Sequence, residues 1–392
     1  MIRQILKMLF NQRQRYMGIF IEQVMIFIVL MLCFVSVGEA WKQYRQPGML
    51  DTDNTVVLGF MNNGGGGENM PENMRVICEN LRKLPYVEAV CQSYNLTPYL
   101  RNAESYLSDS IATGDGVKIR SNLIGTDSYA YKTLRPVLTE GKWLTDDRLG
   151  DGSESAVVSE QFCEKAGWNE AIGKKIEHGG RGYTIVGVIE GIRHDLFAES
   201  PPALIVPVSY FANDPLNRQF MEFCARIGTS GAIDEFGGAY YDEFNRIVSD
   251  REIEPLLLDM DGIKKSLMFG VVSKLFLQSV PTAFLFVFAF IGTFGLFWLH
   301  SRQRMKEFAL RMAVGSTRKK LTGIVVVESL IVTVAAAIPG LVLALFIYDF
   351  SSVQLTAIGL AFGVMLLFSA FSSWFPAYRV SRINPAEALH YE

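Results

Sequence analysis

Residues 275–299 read LFLQSVPTAFLFVFAFIGTFGLFWL, and residues 300–320 continue HSRQRMKEFALRMAVGSTRKK. The first run carries no charged side chain and exceeds the roughly 20 apolar residues that cross a bilayer. The second carries Arg302, Arg304, Lys306, Arg311, Arg318, Lys319 and Lys320 against one acid, Glu307. An apolar run passing directly into a short basic loop predicts a membrane span whose loop stays on the cytoplasmic side. Three more runs of this kind lie at residues 17–38, 322–348 and 353–377.

Two soluble readings compete with these spans. The first run offers a small-x-small site at Ser36-Val37-Gly38, as a cleaved signal peptide would. Its apolar stretch is longer than a signal core, however, and the basic segment 1–16 before it is long. The last three could be a buried bundle, but stretches such as 324–327 and 360–368 have no polar face to turn to water. The remaining flanks agree with the basic loop. Arg3, Lys7, Arg13 and Arg15 precede the first span with no acid among residues 1–16; Asp349-Phe350-Ser351-Ser352 holds no base; Arg379 and Arg382 follow the last span. The expected topology places the N-terminal segment 1–16 in the cytoplasm, 39–274 outside, the loop 300–321 inside, a tight hairpin outside and the tail 378–392 inside. Such a chain would sit in a bacterial inner membrane.

Composition fits that division. The chain has 392 residues, 49% hydrophobic, a mean hydropathy of +0.20 and a net charge of −3. Nothing in that balance points to nucleic acid. Residues 39–274 hold 34 Asp/Glu against 24 Lys/Arg and are long enough to bury a core of their own. Four of the five cysteines, Cys78, Cys91, Cys163 and Cys224, fall there, and Cys33 falls in the first span. Outward-facing cysteines permit disulfides, and four separate buried thiols are equally compatible.

Within this segment the periodicity predicts strands at 55–61 and 87–94 around a helix from Pro71 to about Leu84. The same order returns as a strand at 220–227, a helix at 233–248 and a strand at 254–259. Two β-α-β units of an α+β fold, separated by a β-rich insertion at about 115–205, is the economical reading. The run Gly64-Gly65-Gly66-Gly67 reads as a loop. No G-x-x-x-x-G-K-[ST], H-E-x-x-H, C-x-x-C or G-x-S-x-G occurs, and His178, His194, His300 and His390 are scattered. No catalytic residue, metal site or bound cofactor is expected.

Charge inside a span is costly and marks positions worth attention. Glu22 and Glu328 both lie near the cytoplasmic ends of their spans, where snorkelling, capping or pairing with the basic loop are the alternatives. Gly359 and Gly363 form a G-x-x-x-G in the fourth span, expected to serve helix packing within the subunit. In the loop, Met305, Phe308, Ala309 and Met312 recur at i, i+3, i+4 and i+7, predicting a short helix with one apolar stripe. Glu307 and Arg311 form an i, i+4 pair, and Gly315 suits a C-terminal cap.

These residues are where a family resemblance enters. Arg304, Glu307, Phe308, Ala313, Gly315, Ser316, Thr317 and Leu321 match the loop pattern R-x-x-E-[IF]-x-x-x-R-A-x-G-[AS]-[ST]-x-x-x-[IL] of FtsX/MacB-type permeases of ABC transporters. Arg311 stands two places before Ala313. The tail, Pro376-Ala377-Tyr378-Arg379 through Asn384-Pro385-Ala386-Glu387-Ala388-Leu389, is similar to the family's ending. Gly141-Lys142-Trp143-Leu144, Ile172-Gly173-Lys174, and residues 156–159 and 183–188 resemble the MacB-like periplasmic core domain. The resemblance implies two permeases, as a homodimer or with a paralogue, working with separate ABC ATPase subunits that bind the ATP. The short helix would dock in a groove on the ATPase through Arg304, Glu307, Phe308, Arg311, Met312 and Gly315. Motion would then pass along spans one and two to the periplasmic domain, a mechanotransmission serving export or extraction. A periplasmic adaptor is a further partner the resemblance allows. The alternative it leaves open is a non-transporting signal transmitter that activates a periplasmic cell-wall hydrolase.

Overall fold

The computed structural model describes residues 13–63, 69–100, 108–212, 214, 217, 220–228 and 232–382. The glycine run 64–67, the bases Arg3 and Lys7, the side chains of Arg13 and Arg15, and the tail motif beyond Arg382 lie outside the described residues. The chain divides into two compact units, residues 43–270 and residues 1–42 with 271–392.

In chain order the elements are α1 (Arg13–Tyr44), β1 (Thr55–Asn62), α2 (Met70–Leu81), β2 (Val87–Tyr94), β3 (Ser108–Thr113), β4 (Lys118–Thr126), α3 (Ala130–Leu134) and β5 (Leu138–Gly141). They continue with β6 (Glu154–Ser159), α4 (Glu160–Ala166), β7 (Lys175–His178), β8 (Arg181–Ile189), β9 (Ala203–Pro207), α5 (Ser209–Ala212), β10 (Glu222–Ile227), α6 (Ile233–Ile247) and β11 (Ile253–Asp259). The remainder is helical: α7 (Met260–Gln303), α8 (Met305–Ala313), α9 (Arg318–Ile347) and α10 (Ser352–Val380).

In the 43–270 unit, β1-α2-β2 and β10-α6-β11 interleave as β11-β1-β10-β2, all neighbours antiparallel. This is the split β-α-β arrangement, in which each unit's two strands are separated by one strand from the other unit. The apolar stripes of α2 and α6, with Met74, Ile77, Leu81, Phe236, Tyr240 and Phe244, cover one face together with Val56, Leu58 and Val90. Pro71 sits in the first turn of α2, where its missing N–H costs nothing. The intervening strands are not a separate sheet: β4 pairs with the end of β2 and with both β3 and β9, so one 11-stranded sheet runs through the unit. The expected insertion therefore starts earlier than 115, at β3, and is continuous with the rest. Its β6 and β9 are buried along their whole lengths, as strands covered on both faces are, and the apolar run of β9 reads accordingly. Buried Arg226 ties the loop before β1 to α3, donating to the carbonyls of Asp53 (2.8 Å) and Thr133 (2.7 Å).

The other unit holds the spans. Among the described residues four helices, α1, α7, α9 and α10, are long and apolar enough to cross a membrane. The second exceeds the sequence boundaries 275–299, because an unbroken helix begins at Met260 and accommodates Pro281. Phe27, Met31, Ala289, Ala337, Ala344, Ala361, Met365 and Phe368 pack at the centre, while Leu277, Phe284, Phe346, Leu360 and Leu367 point outward as lipid-facing side chains would. Small residues set the close approaches. A Cβ on Gly340 would stand 2.5 Å from Phe27, and buried Ser329 donates to the Ser369 carbonyl at 3.1 Å. Gly359 and Gly363 do not take part, since nothing lies within 4 Å of a Cβ built at either. The expectation that their G-x-x-x-G packs within the subunit is corrected: α10 meets its neighbours through Ala357, Ala361, Met365 and Ser369, on another face.

Candidate functional site at the short helix between the second and third spans

Helix α8 is bounded by local chemistry the sequence carries. Gly315 adopts φ +95°, a conformation open to glycine, and lets Ser316 N–H return to the Arg311 carbonyl at 2.9 Å. Thr317 then caps α9, its hydroxyl accepting from the Lys320 N–H. Along α8, Glu307 accepts from Arg304 at 2.9 Å and Arg311 at 2.6 Å, so one carboxylate bridges residues three before and four after it. Partial burial opposes the charge of Glu307, yet the Arg304 hydrogen bond and both cations outweigh it and hold this carboxyl below its ordinary range.

Arg304 does more than pair along its own helix. Its side chain is 6% exposed, and its Nη1 donates to Glu328 Oε2 at 2.7 Å, where Glu328 is 0% exposed on α9. Tyr16 Oη on α1 donates to the same Glu328 oxygen at 3.2 Å and lies 2.7 Å from His300 Nε2 on α7. One connected set of polar side chains thus joins the start of α8 to α1, α7 and α9. The intramembrane acid Glu328 is an ion-pair partner of the basic loop. Glu22 is not: it accepts from Thr293 Oγ1 on α7 at 3.0 Å.

The apolar stripe exists, but its direction differs from the expectation. Ala309 is 0% exposed and Phe308 2%, the phenylalanine packed with Tyr16, Ile19, Phe297, Leu321 and Val325, with Met305 and Met312 against the same cluster. A side chain already buried within its own chain does not fill a partner's groove, so Phe308 is corrected from docking anchor to the residue that seats α8 on the bundle. The physical reason is that one amphipathic face has one apolar surface to bury, and this chain supplies it. The face left outward carries Leu310 at 60% and Val314 at 84% exposed, with Lys306 and Arg311 beside them. Sequence reasoning missed Leu310 and Val314, and also Tyr16 and His300. The available signal was a tyrosine and a histidine at the ends of apolar runs, on the same side as Glu328. Among the described residues no group of three His, Cys, Asp or Glu is placed to hold a metal.

The chain is similar to known proteins. Residues 280–385 match the FtsX-like permease C-terminal family, and residues 24–231 match the MacB-like periplasmic core domain. The second match covers more than half of the chain, and together they define the class: the chain belongs to the FtsX/MacB-type permeases of ABC transporters, a multi-pass membrane protein with four spans and a large α+β domain. Its relatives include the macrolide export ATP-binding/permease protein MacB of Hahella chejuensis, 22% identical across 93% of this chain and 56% of that protein. The MacB of Aggregatibacter actinomycetemcomitans is 23% identical across 82% of this chain and 49% of its own length. The chain therefore spans about half the length of the curated relatives it matches. Among solved structures, the periplasmic region of MacB from Actinobacillus actinomycetemcomitans aligns over 55% of this chain and 94% of that one, at 16% identity and a TM-score of 0.38. The extracellular domain of the ABC-type transporter YknZ aligns over 52% and 100%, at 16% and 0.37.

Proposed function

We propose that this chain is the membrane subunit of an ABC transporter that turns ATP hydrolysis on a separate ATPase subunit into movement of its large domain, for export or extraction of a substrate. The observation that carries this reading is the polar junction at α8. Arg304, Glu328, Tyr16 and His300 connect that helix to three spans, so a displacement of α8 is shared by the bundle instead of being lost in a loose loop. The outward face of α8, with Leu310, Val314, Lys306 and Arg311, is the surface offered to the ATPase. Glu307, Phe308, Met312 and Gly315 hold the helix in position to offer it. The basic flanks orient the chain in a bacterial inner membrane with both termini and α8 cytoplasmic and residues 43–270 periplasmic. A second permease copy or paralogue completes the transporter.

The test is copurification with the ATPase from the native membrane. Leu310→Asp combined with Val314→Asp places charge in an apolar contact and is expected to reduce ATPase recovery at least tenfold while insertion of the chain is unchanged. Undiminished recovery with this double variant would refute the outward face as the docking surface.

A further inference from the structure

Four of the five cysteines lie in the 43–270 unit, but they are not equivalent. Cys78 sits on α2 and Cys163 on α4, in different apolar clusters. Cys91 on β2 and Cys224 on β10 belong to one cluster and are register partners on adjacent antiparallel strands. Directly opposed residues of such strands have Cα atoms about 4.5–5.5 Å apart, inside the roughly 4.4–6.8 Å that a disulfide spans. Both side chains are 0% exposed and, as register partners in one cluster, lie on the same face of the sheet, where the structure holds them as free thiols. Thr97 Oγ1 lies 3.2 Å from Cys224 Sγ.

We infer that Cys91 and Cys224 are an oxidation site, joined as a cross-strand disulfide in the mature protein. The proposal rests on the periplasmic placement of this unit, where thiols are oxidised. The oxidant is a disulfide-carrying envelope thiol oxidoreductase. The thiolate of one cysteine attacks the oxidant's disulfide to give a mixed disulfide. The second thiolate then displaces the oxidant's sulfur, and two protons and two electrons leave, the oxidant departing as its dithiol. Both sulfurs are enclosed once the sheet has formed, so the exchange belongs to the stage at which β2 and β10 pair. Afterwards the bond is shielded from reductant.

The position gives the bond a structural consequence. All of β3 to β9 lies between Cys91 and Cys224, so the bond closes the chain at the point where these strands leave and rejoin the split β-α-β half. A loop of that length is one for which cross-linking most restricts the unfolded ensemble. Reduction of the denatured and refolded chain is expected to lower the melting temperature by roughly 5–10 °C.

The experiment is thiol counting on full-length protein purified from membranes after acid quenching, denatured, and treated with a maleimide-polyethylene glycol with or without prior phosphine reduction. Without reductant, three cysteines (Cys33, Cys78 and Cys163) are expected to react, and with reductant all five. Cys91→Ser is expected to raise the unreduced count to four by freeing Cys224. Five reactive thiols without reductant would overturn the proposal. Asp147→Cys, on the exposed surface of the same unit, is labelled in parallel on intact cells stripped of their outer membrane, with an impermeant maleimide. Labelling at Asp147→Cys with five free thiols refutes the disulfide alone, and no labelling refutes the orientation on which it rests.

Discussion

Replacing Arg304 by Ala is the most informative single change, because it separates a seated helix from a loose one. Glu328 Oε2 receives Arg304 at 2.7 Å and Tyr16 at 3.2 Å, and the glutamate has no exposed surface. Removing the cation leaves a buried carboxylate with a neutral phenol for company. Breaking a buried pair from one side costs about 3–5 kcal/mol, and protonation of Glu328 is the escape that keeps the loss near the lower figure. Replacing both partners, Arg304→Ala with Glu328→Leu, removes the charge to be satisfied together with the cation, and should lose much less than the two single changes summed. A double-mutant cycle on the full chain in micelles, read by denaturant unfolding with a reporter on α8, should give a coupling of about 2 kcal/mol or more. Copurification of the ATPase should fall with Arg304→Ala and recover in part in the double variant. Additive losses, within about 0.5 kcal/mol, would refute the junction as an energetic unit.

Three further outcomes follow from the same structure. Phe308→Ala empties a site that is 2% exposed and should cost about 3–5 kcal/mol of stability, whereas Leu310→Ala, 60% exposed, should leave the melting temperature within about a degree; equal losses would place the stripe on the wrong face. Gly340→Val drives a side chain into Phe27 and should cost about 1–3 kcal/mol or prevent assembly of the bundle, measured as aggregation on size exclusion. Burial raises the Asp127 carboxyl from 3.8 to about 7, against the pull of the Gln92 N–H and Arg82, both donating to its Oδ2, so folded protein keeps a proton that unfolded chain releases. Its contribution to stability is complete below about pH 4 and is lost as pH rises through 7, by up to about 4 kcal/mol; Asp127→Asn should remove this slope from melts taken between about pH 5 and 8, and an unchanged slope would exclude Asp127 as its source.

Some of this was legible in the chain because the relevant physics is local or counted along the sequence. Four apolar runs and their basic flanks announce the spans, since a bilayer tests length and charge segment by segment. Period-two strands on either side of a helix opened by Pro71 give the β-α-β units, and Gly315 with Thr317 marks the chain between the short helix and the third span. Periodicity also gave the stripe Met305-Phe308-Ala309-Met312, but a stripe says only that some apolar surface is needed opposite it. Tertiary packing decided that the surface is the protein's own, made by Tyr16, Phe297 and Val325, which lie far apart along the chain. It likewise decided that Gly340, not Gly359 or Gly363, is where two spans touch, and that Glu328 meets Arg304 while Glu22 meets Thr293. The sheet shows the same division: each strand is written in its own residues, but the pairing that sets Cys91 opposite Cys224 depends on β10 entering between β1 and β2. Spans and the strands and helices of the split β-α-β half are legible along the chain, because burial in lipid or in a sheet imposes a pattern on successive residues. Which faces meet is settled by packing, because side chains distant in sequence compete for the same buried surface.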